Sequence, residues 1–195
     1  MTVSLQRRLF TADEFERMAE AGVFGEDERL ELLGGEIVAM SPIGPRHAWC
    51  VKRLNRIFAA LGERVVVSVQ DPIRLDEWAD PQPDLALLRP GISEQRHPRP
   101  ADVLLVVEVA SSSVADDRDI KAPLYARARI DELWLVDLVA DRLAVYRDPS
   151  PTGYRTIRVC GRGEQVSPLF APDVMIDVDA ILGPADQSPE GAGDL

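Results

Sequence analysis

A glutamate closes the most apolar strand of this 195-residue chain. Val103-Leu-Leu-Val-Val-Glu-Val109 reads as a strand covered on both faces, because only strands in the middle of a sheet carry near-continuous apolar runs. An ionised carboxylate there is costly unless a cation, a base, a proton or a metal meets it. Glu108 therefore demands a partner. Asp84 follows Pro83 at the mouth of a second apolar strand, Leu85-Ala-Leu-Leu88. If these strands are neighbours, both carboxylates come to one edge of a sheet. Such a pair suits Mg²⁺, a hard ion that takes oxygen ligands and often uses only one or two protein carboxylates. The structural alternative pairs Glu108 with an Arg or Lys and leaves Asp84 to cap a turn.

The rest of the chain supplies layers for such a sheet. Thr11 and Glu14 have capping-box spacing ahead of Phe15 and Met18, which predicts a helix over Ala12–Ala21. Gly34-Gly35 between Arg29–Leu33 and Glu36–Met40 predicts a tight hairpin. Cys50, Leu54, Ile57, Phe58 and Leu61 recur at helical spacing within Arg46–Leu61, with Lys52, Arg53 and Arg56 pointing away from that stripe. Arg64–Gln70, Ile73–Leu75, Glu132–Asp137 and Leu143–Tyr146 read as further strands. Tyr154–Val159 and Glu164–Val166 read as a hairpin, and Asp116–Arg129 and Asp177–Leu182 as helices. The expected organisation is one α+β domain with a mixed sheet over residues 1–183, followed by a disordered acidic tail over 184–195.

Charge bears on partners. The chain has 22 Lys and Arg against 33 Asp and Glu, a net charge of −11. That acidity runs against the basic footprint usual for nucleic-acid binders. It is uneven, however. Asp173, Asp177, Asp179, Asp186, Glu190 and Asp194 fall in a final stretch without bases, so the remainder carries only −5. Two cysteines exclude a disulfide scaffold, and 46% hydrophobic residues exclude a disordered chain. No apolar run approaches the length of a membrane span, and Met1–Phe10 lacks a signal-peptide core, so the expected location is cytoplasmic, away from membranes.

Other residues are candidates for the neighbourhood of Glu108. Glu31, in Arg29-Leu-Glu-Leu-Leu33, offers a third carboxylate or is a solvated strand residue. Asp117 and Lys121 are four apart on a helix, the spacing of a simple ion pair. Lys121 alternatively reaches back to stabilise phosphate charge or orient a water. His47 opens a helix and is either a phosphate contact or proton carrier, or a helix-start residue without chemistry. His97, in a polar segment, reads as a surface residue. Cys50 and Cys160 are isolated, no Gly-x-Gly-x-x-Gly or Walker loop occurs, and Ser111-Ser-Ser113 lacks nucleophile-elbow glycines and reads as a helix cap.

Taken in order, Leu30-Glu-Leu-Leu-Gly-Gly-Glu36-Ile, Met40-Ser-Pro42, His47, Asp71-Pro-Ile-Arg-Leu75, Pro83-Asp84, Val107-Glu-Val109, Ser112-Ser113, Asp117-Arg-x-x-Lys121, Tyr125 and Glu132-Leu-Trp-Leu-Val-Asp137 resemble the Uma-type restriction endonuclease family of the PD-(D/E)XK nuclease superfamily. The resemblance extends from about Thr11 to about Gly183. It implies a restriction-endonuclease-like fold, a central mixed sheet flanked by helices with carboxylates at one edge. It also implies that Asp84 and Glu108 bind Mg²⁺, or Mn²⁺ in its place, with the Val109 carbonyl as a further ligand and Glu31 joining directly or through water. The superfamily lysine lies two residues after the acidic residue, where this chain has Ala110. Lys121 is the natural substitute. Ser111 stands where close relatives often carry Asp.

The resulting expectation is a Mg²⁺-dependent endonuclease cutting DNA phosphodiester bonds. Asp84, Glu108, Glu31, Lys121 and His47 form its site, and the basic helix from Arg46 to Arg56 contacts the DNA backbone. The alternative is a non-catalytic nucleic-acid-binding or protein-interaction module that keeps the fold. A homodimer is expected, with Trp134–Val136 and Leu143–Tyr146 available either for its surface or for core packing.

Overall fold

The computed structural model describes residues 7–25, 27–111, 115 and 117–185. Helix α1 (Ala12–Glu20) starts on the expected capping box: Thr11 Oγ1 accepts the Glu14 N–H at 3.2 Å and Glu14 Oε2 accepts the Thr11 N–H at 3.0 Å. The hairpin of β1 (Leu30–Leu33) and β2 (Glu36–Ala39) turns on Gly34 and Gly35, whose φ values of +60° and +84° suit the mirror-image turn that matches strand twist. A Cβ on Gly35 would also stand 2.7 Å from the Leu9 Cβ. This hairpin is a sheet of its own, tied to the body by a bridge between Leu32 and Asp80.

Helix α2 (Pro45–Ala59) buries Cys50, Leu54 and Phe58 of the expected stripe and also Val51, while Ile57 is only partly buried and Leu61 lies beyond the helix end. The central sheet has six strands in the order β3 (Val66–Val69), β4 (Leu85–Leu88), β5 (Val103–Ala110), β6 (Glu132–Asp137), β7 (Arg142–Ser150) and β8 (Gly153–Gly161). Every neighbouring pair is antiparallel except β5 with β6. That parallel step needs a crossover, which the segment before β6 supplies with α3 (Ala122–Arg127). The short strands β9 (Gln165–Val166) and β10 (Ile176–Asp177) pair with each other, and α4 (Val178–Leu182) follows. One face of the sheet packs on α2 and α4, through Leu54, Phe58, Val107, Trp134, Val178 and Ile181. The other packs on α3 and on Ile73, Leu75 and Ala79. Strand β5 is thus covered on both sides, as its apolar run requires.

Several sequence expectations are corrected. Ile73–Leu75 is extended but belongs to no strand; its N–H groups reach the carbonyls of Pro81, Pro98 and Ala79 instead. Its apolar residues mark burial, not sheet pairing. Tyr154–Val159 pairs with β7, and Gln165–Val166 pairs with β10, so these two segments are not a hairpin. The helix expected over Asp116–Arg129 is a π-helical turn, Asp117–Lys121, running into α3. Pro123 explains the break, because it has no N–H to donate to the preceding turn. Trp134–Val136 and Leu143–Tyr146 lie inside the sheet, which removes them as a dimer surface. Ser112, Ser113 and the tail from 186 onward lie outside the described residues. Among the described residues no helix is long and apolar enough to cross a membrane.

Candidate active site

Backbone register puts the two key carboxylates together. In the antiparallel β4–β5 pair Leu85 faces Val107, so Asp84, one residue before β4, faces Glu108. Asp84 is held from three directions. Its Oδ2 accepts the Val109 N–H at 2.8 Å and lies 3.0 Å from His47 Nε2, and its Oδ1 accepts from Gln70 Nε2 at 3.3 Å. His47 reaches down from the first turns of α2; its Nδ1 is buried and has no hydrogen-bond partner among the described residues.

Glu108 meets a different set. Its Oε1 accepts the Tyr125 hydroxyl at 2.7 Å and lies 3.4 Å from Lys121 Nζ. Both of these fall on Oε1, and Oε2 takes no hydrogen bond among the described residues. The Lys121 ammonium also lies 3.1 Å from Glu31 Oε2 and 3.7 Å from Asp117 Oδ1. Glu31 is fixed in turn by the Gln82 N–H at 3.2 Å. Four groups are nearly sealed from solvent: Glu108 is 3% exposed, Glu31 4%, Lys121 7% and Asp84 8%.

The electrostatics follow from this crowding. Burial pushes the Glu108 carboxyl up to about 8; Lys121 draws it down, while Asp117, Asp84 and Glu31 add to the rise. Burial opposes the Lys121 charge, but Glu108, Glu31 and Asp117 outweigh it and hold the ammonium above its ordinary range. Burial, followed by the neighbouring Glu108 charge, lifts the Tyr125 hydroxyl well above its ordinary value. Lys121 is therefore a fixed positive charge among carboxylates, and Tyr125 is a hydrogen-bond donor that keeps its proton.

One cavity collects Glu31, His47, Asp84, Glu108, Val109 and Lys121, all the residues that the sequence singled out for the site. Glu31 is not a solvated strand residue. The Asp117–Lys121 ion pair exists, but as one contact of a larger cluster. Lys121 reaches Glu108 although the strand position two residues beyond Glu108 is Ala110. His97 is apart from the cavity, exposed, with its nearest carboxylate Glu16 at 4.0 Å. Sequence reasoning assigned no role to Tyr125, Gln70, Gln82 or Arg29. Tyr125 stood in a family motif, yet a tyrosine on an apolar helix face looks like core.

The basic face of α2 is smaller than its sequence implies. Arg53 donates to the carbonyls of Ile181 and Leu182 at 2.9 and 2.7 Å, closing the end of α4, and Arg46 pairs with Asp141 at 3.0 Å. Lys52 and Arg56 remain exposed, with Lys52 Nζ 4.8 Å from the ring centroid of exposed Trp49. Part of the acidity is also spent internally: Asp173 pairs with Arg64, and Asp179 with Arg162.

The donor set fits a hard divalent cation. Asp84, Glu108 and Glu31 offer oxygen only, and Glu108 Oε2 is left uncommitted. No group of three or more His, Cys, Asp or Glu able to hold a metal occurs among the described residues. A hard ion that keeps water and phosphate among its ligands needs only one or two protein carboxylates.

Comparison with solved structures defines the fold as restriction-endonuclease-like. The crystal structure of "a putative nuclease belonging to DUF820" from Anabaena variabilis ATCC 29413 matches with a TM-score of 0.65 at 14% identity, covering 89% of this chain and 97% of that one. Residues 12–179 match the model of the Uma2 family, described as "Putative restriction endonuclease", and the chain belongs to that family. No curated protein matches the chain.

Proposed function

We propose that this protein is a Mg²⁺-dependent endonuclease that hydrolyses phosphodiester bonds in DNA, with Mn²⁺ as a substitute. One observation carries the reading: side chains from the β1–β2 hairpin, α2, the mouths of β4 and β5, and the π-helical turn converge on one cavity. Asp84 and Glu108 would hold the cation, with the Val109 carbonyl and Glu31 as further oxygen donors. When bound, the ion supplies Lewis-acid stabilisation of phosphoryl charge and an acidified water. Lys121 takes the role of the missing strand lysine, placing positive charge beside the phosphoryl oxygen. Tyr125 is a positioning residue that pins Glu108 Oε1. His47 orients Asp84 and forms an outer contact to the substrate. Lys52, Arg56 and Trp49 give α2 a surface for the nucleic-acid backbone. A homodimer would have to use another face than the interior strands, such as the β8 edge with exposed Ile157 and Val159.

A second reading has its own support. Lys121 already neutralises carboxylates in this site, which is the arrangement expected of a non-catalytic nucleic-acid-binding or protein-interaction module. Incubating plasmid DNA and a single DNA strand with the protein and Mg²⁺ or Mn²⁺ separates the two. Cleavage that disappears in Asp84→Ala and Glu108→Ala supports the enzyme. No cleavage, or equal cleavage by all three proteins, supports the module.

A further inference from the structure

The cavity has a second half that the catalytic reading leaves unused. Val38 from β2, Met40 and Ile43 from the segment before α2, and Ile120 from the π-helical turn line the same cavity as the carboxylates. Val38, Ile43 and Ile120 are exposed at its mouth. Aliphatic side chains do nothing for a phosphate or a metal, but they match the flat face of a base and the apolar side of a deoxyribose. Lys121, next to Ile120, and Arg29, whose carbonyl accepts the Met40 N–H at 2.9 Å, line the same cavity, and Arg29 has no ion-pair partner among the described residues. The cavity has a volume of about 200 Å³, and its carboxylates lie at a nearly sealed floor. An intact duplex, whose major groove alone is about 12 Å wide, keeps its bases stacked inside and offers no base to such a wall. An unpaired strand offers base, sugar and phosphate separately and has no unpairing cost to meet.

We propose that this cavity takes one unpaired nucleotide, its base and sugar against Val38, Met40, Ile43 and Ile120 and its phosphate toward Arg29 and Lys121. The preferred substrate is therefore an unpaired DNA strand, free or as a flap on a duplex. This rests on the nuclease reading for the identity of the ligand. The test is fluorescence anisotropy of the full chain in Ca²⁺ with four labelled probes: a single strand, the same strand with one abasic site, a blunt duplex, and a duplex carrying a single-stranded flap. Cleavage of the same probes in Mg²⁺ or Mn²⁺ is followed in parallel.

The single strand and flap bind at least about tenfold more tightly than the blunt duplex, in keeping with the value of base contacts in strand-binding proteins. Ile43→Ala combined with Ile120→Ala, both at exposed positions, weakens the single strand by roughly three- to tenfold and leaves the duplex unchanged. Equal binding of duplex and single strand, or an abasic probe bound as well as the intact one in every register, overturns the inference. If unpaired probes bind in the expected order and none is cut, the inference stands and the catalytic reading falls. If duplex is cut as readily as single strand, catalysis stands and the inference falls. If no probe binds, both fall.

Discussion

Lys121 brings its ammonium to 3.4 Å from the Glu108 carboxylate, and it does so from a π-helical turn and not from the neighbouring strand position that Ala110 occupies. A lysine on the strand would be fixed by the pleat. Here its reach depends on how the turn meets Pro123 and α3. π-helical turns frequently occur at functional sites, and this one delivers the charge.

Replacing Lys121 by Met removes the ammonium that stands between Glu31 and Glu108, beside Asp117. Breaking a buried ion cluster from one side costs about 3–5 kcal/mol, so Lys121→Met lowers the melting temperature sharply at neutral pH. Mg²⁺ recovers part of that loss, because a cation can again stand among the carboxylates. Thermal unfolding with and without Mg²⁺ reads both effects. A variant as stable as wild type without metal contradicts the prediction.

Tyr125→Phe keeps the packing of α3 and deletes one hydroxyl. The lost hydrogen bond to Glu108 costs about 1–3 kcal/mol by urea unfolding. Divalent-ion affinity also falls, since Glu108 is no longer pinned at Oε1. Calorimetry with Mn²⁺ checks this independently of cleavage, and unchanged affinity would leave Tyr125 as core alone.

The Glu108 carboxyl rises from 4.5 to about 8 on folding. A group raised in the folded state contributes stability that is complete below about pH 4.5 and is lost as pH rises through about 8, because the folded chain holds the proton more firmly. Metal-free protein therefore loses up to about 1.4 kcal/mol per pH unit from this group across that interval. Glu108→Gln removes the slope. Superimposable stability–pH profiles for wild type and Glu108→Gln refute the assignment.

Glu132 is the contrasting buried acid. Its carboxylate accepts from Arg147, from Trp134 Nε1 and from the Leu169 N–H, away from the cavity. Glu132→Ala leaves the buried Trp134 Nε1 and the Leu169 N–H without their acceptor and destabilises by about 1–3 kcal/mol for each. Its Mn²⁺ affinity, measured below the unfolding transition, stays at the wild-type value. A loss there would place Glu132 in the site.

Much of this was readable before any coordinates. Glu108 announced itself by lying in an apolar strand, the Gly34-Gly35 turn fixed the hairpin register, and the α2 stripe named Cys50, Leu54 and Phe58 of its core face. The misses have physical causes. Pro149 within β7 looks like a strand end, yet it pairs with Tyr154 beside the β7–β8 turn. Ile73–Leu75 is apolar because it covers the sheet, and burial without pairing gives the same pattern as a strand. Arg53 looked like surface charge because sequence carries no sign of the α4 carbonyls it closes. Glu132 opens a strand like any solvated acid, and only packing shows its three donors.

The opposed pair of Asp84 and Glu108 is spaced by sheet hydrogen bonds, whereas Glu31 is carried on a hairpin that forms a separate sheet. The site thus draws its acids from two separate hydrogen-bond ladders. A substitution that disturbs the hairpin ladder acts on Glu31 without breaking the ladder that spaces Asp84 and Glu108.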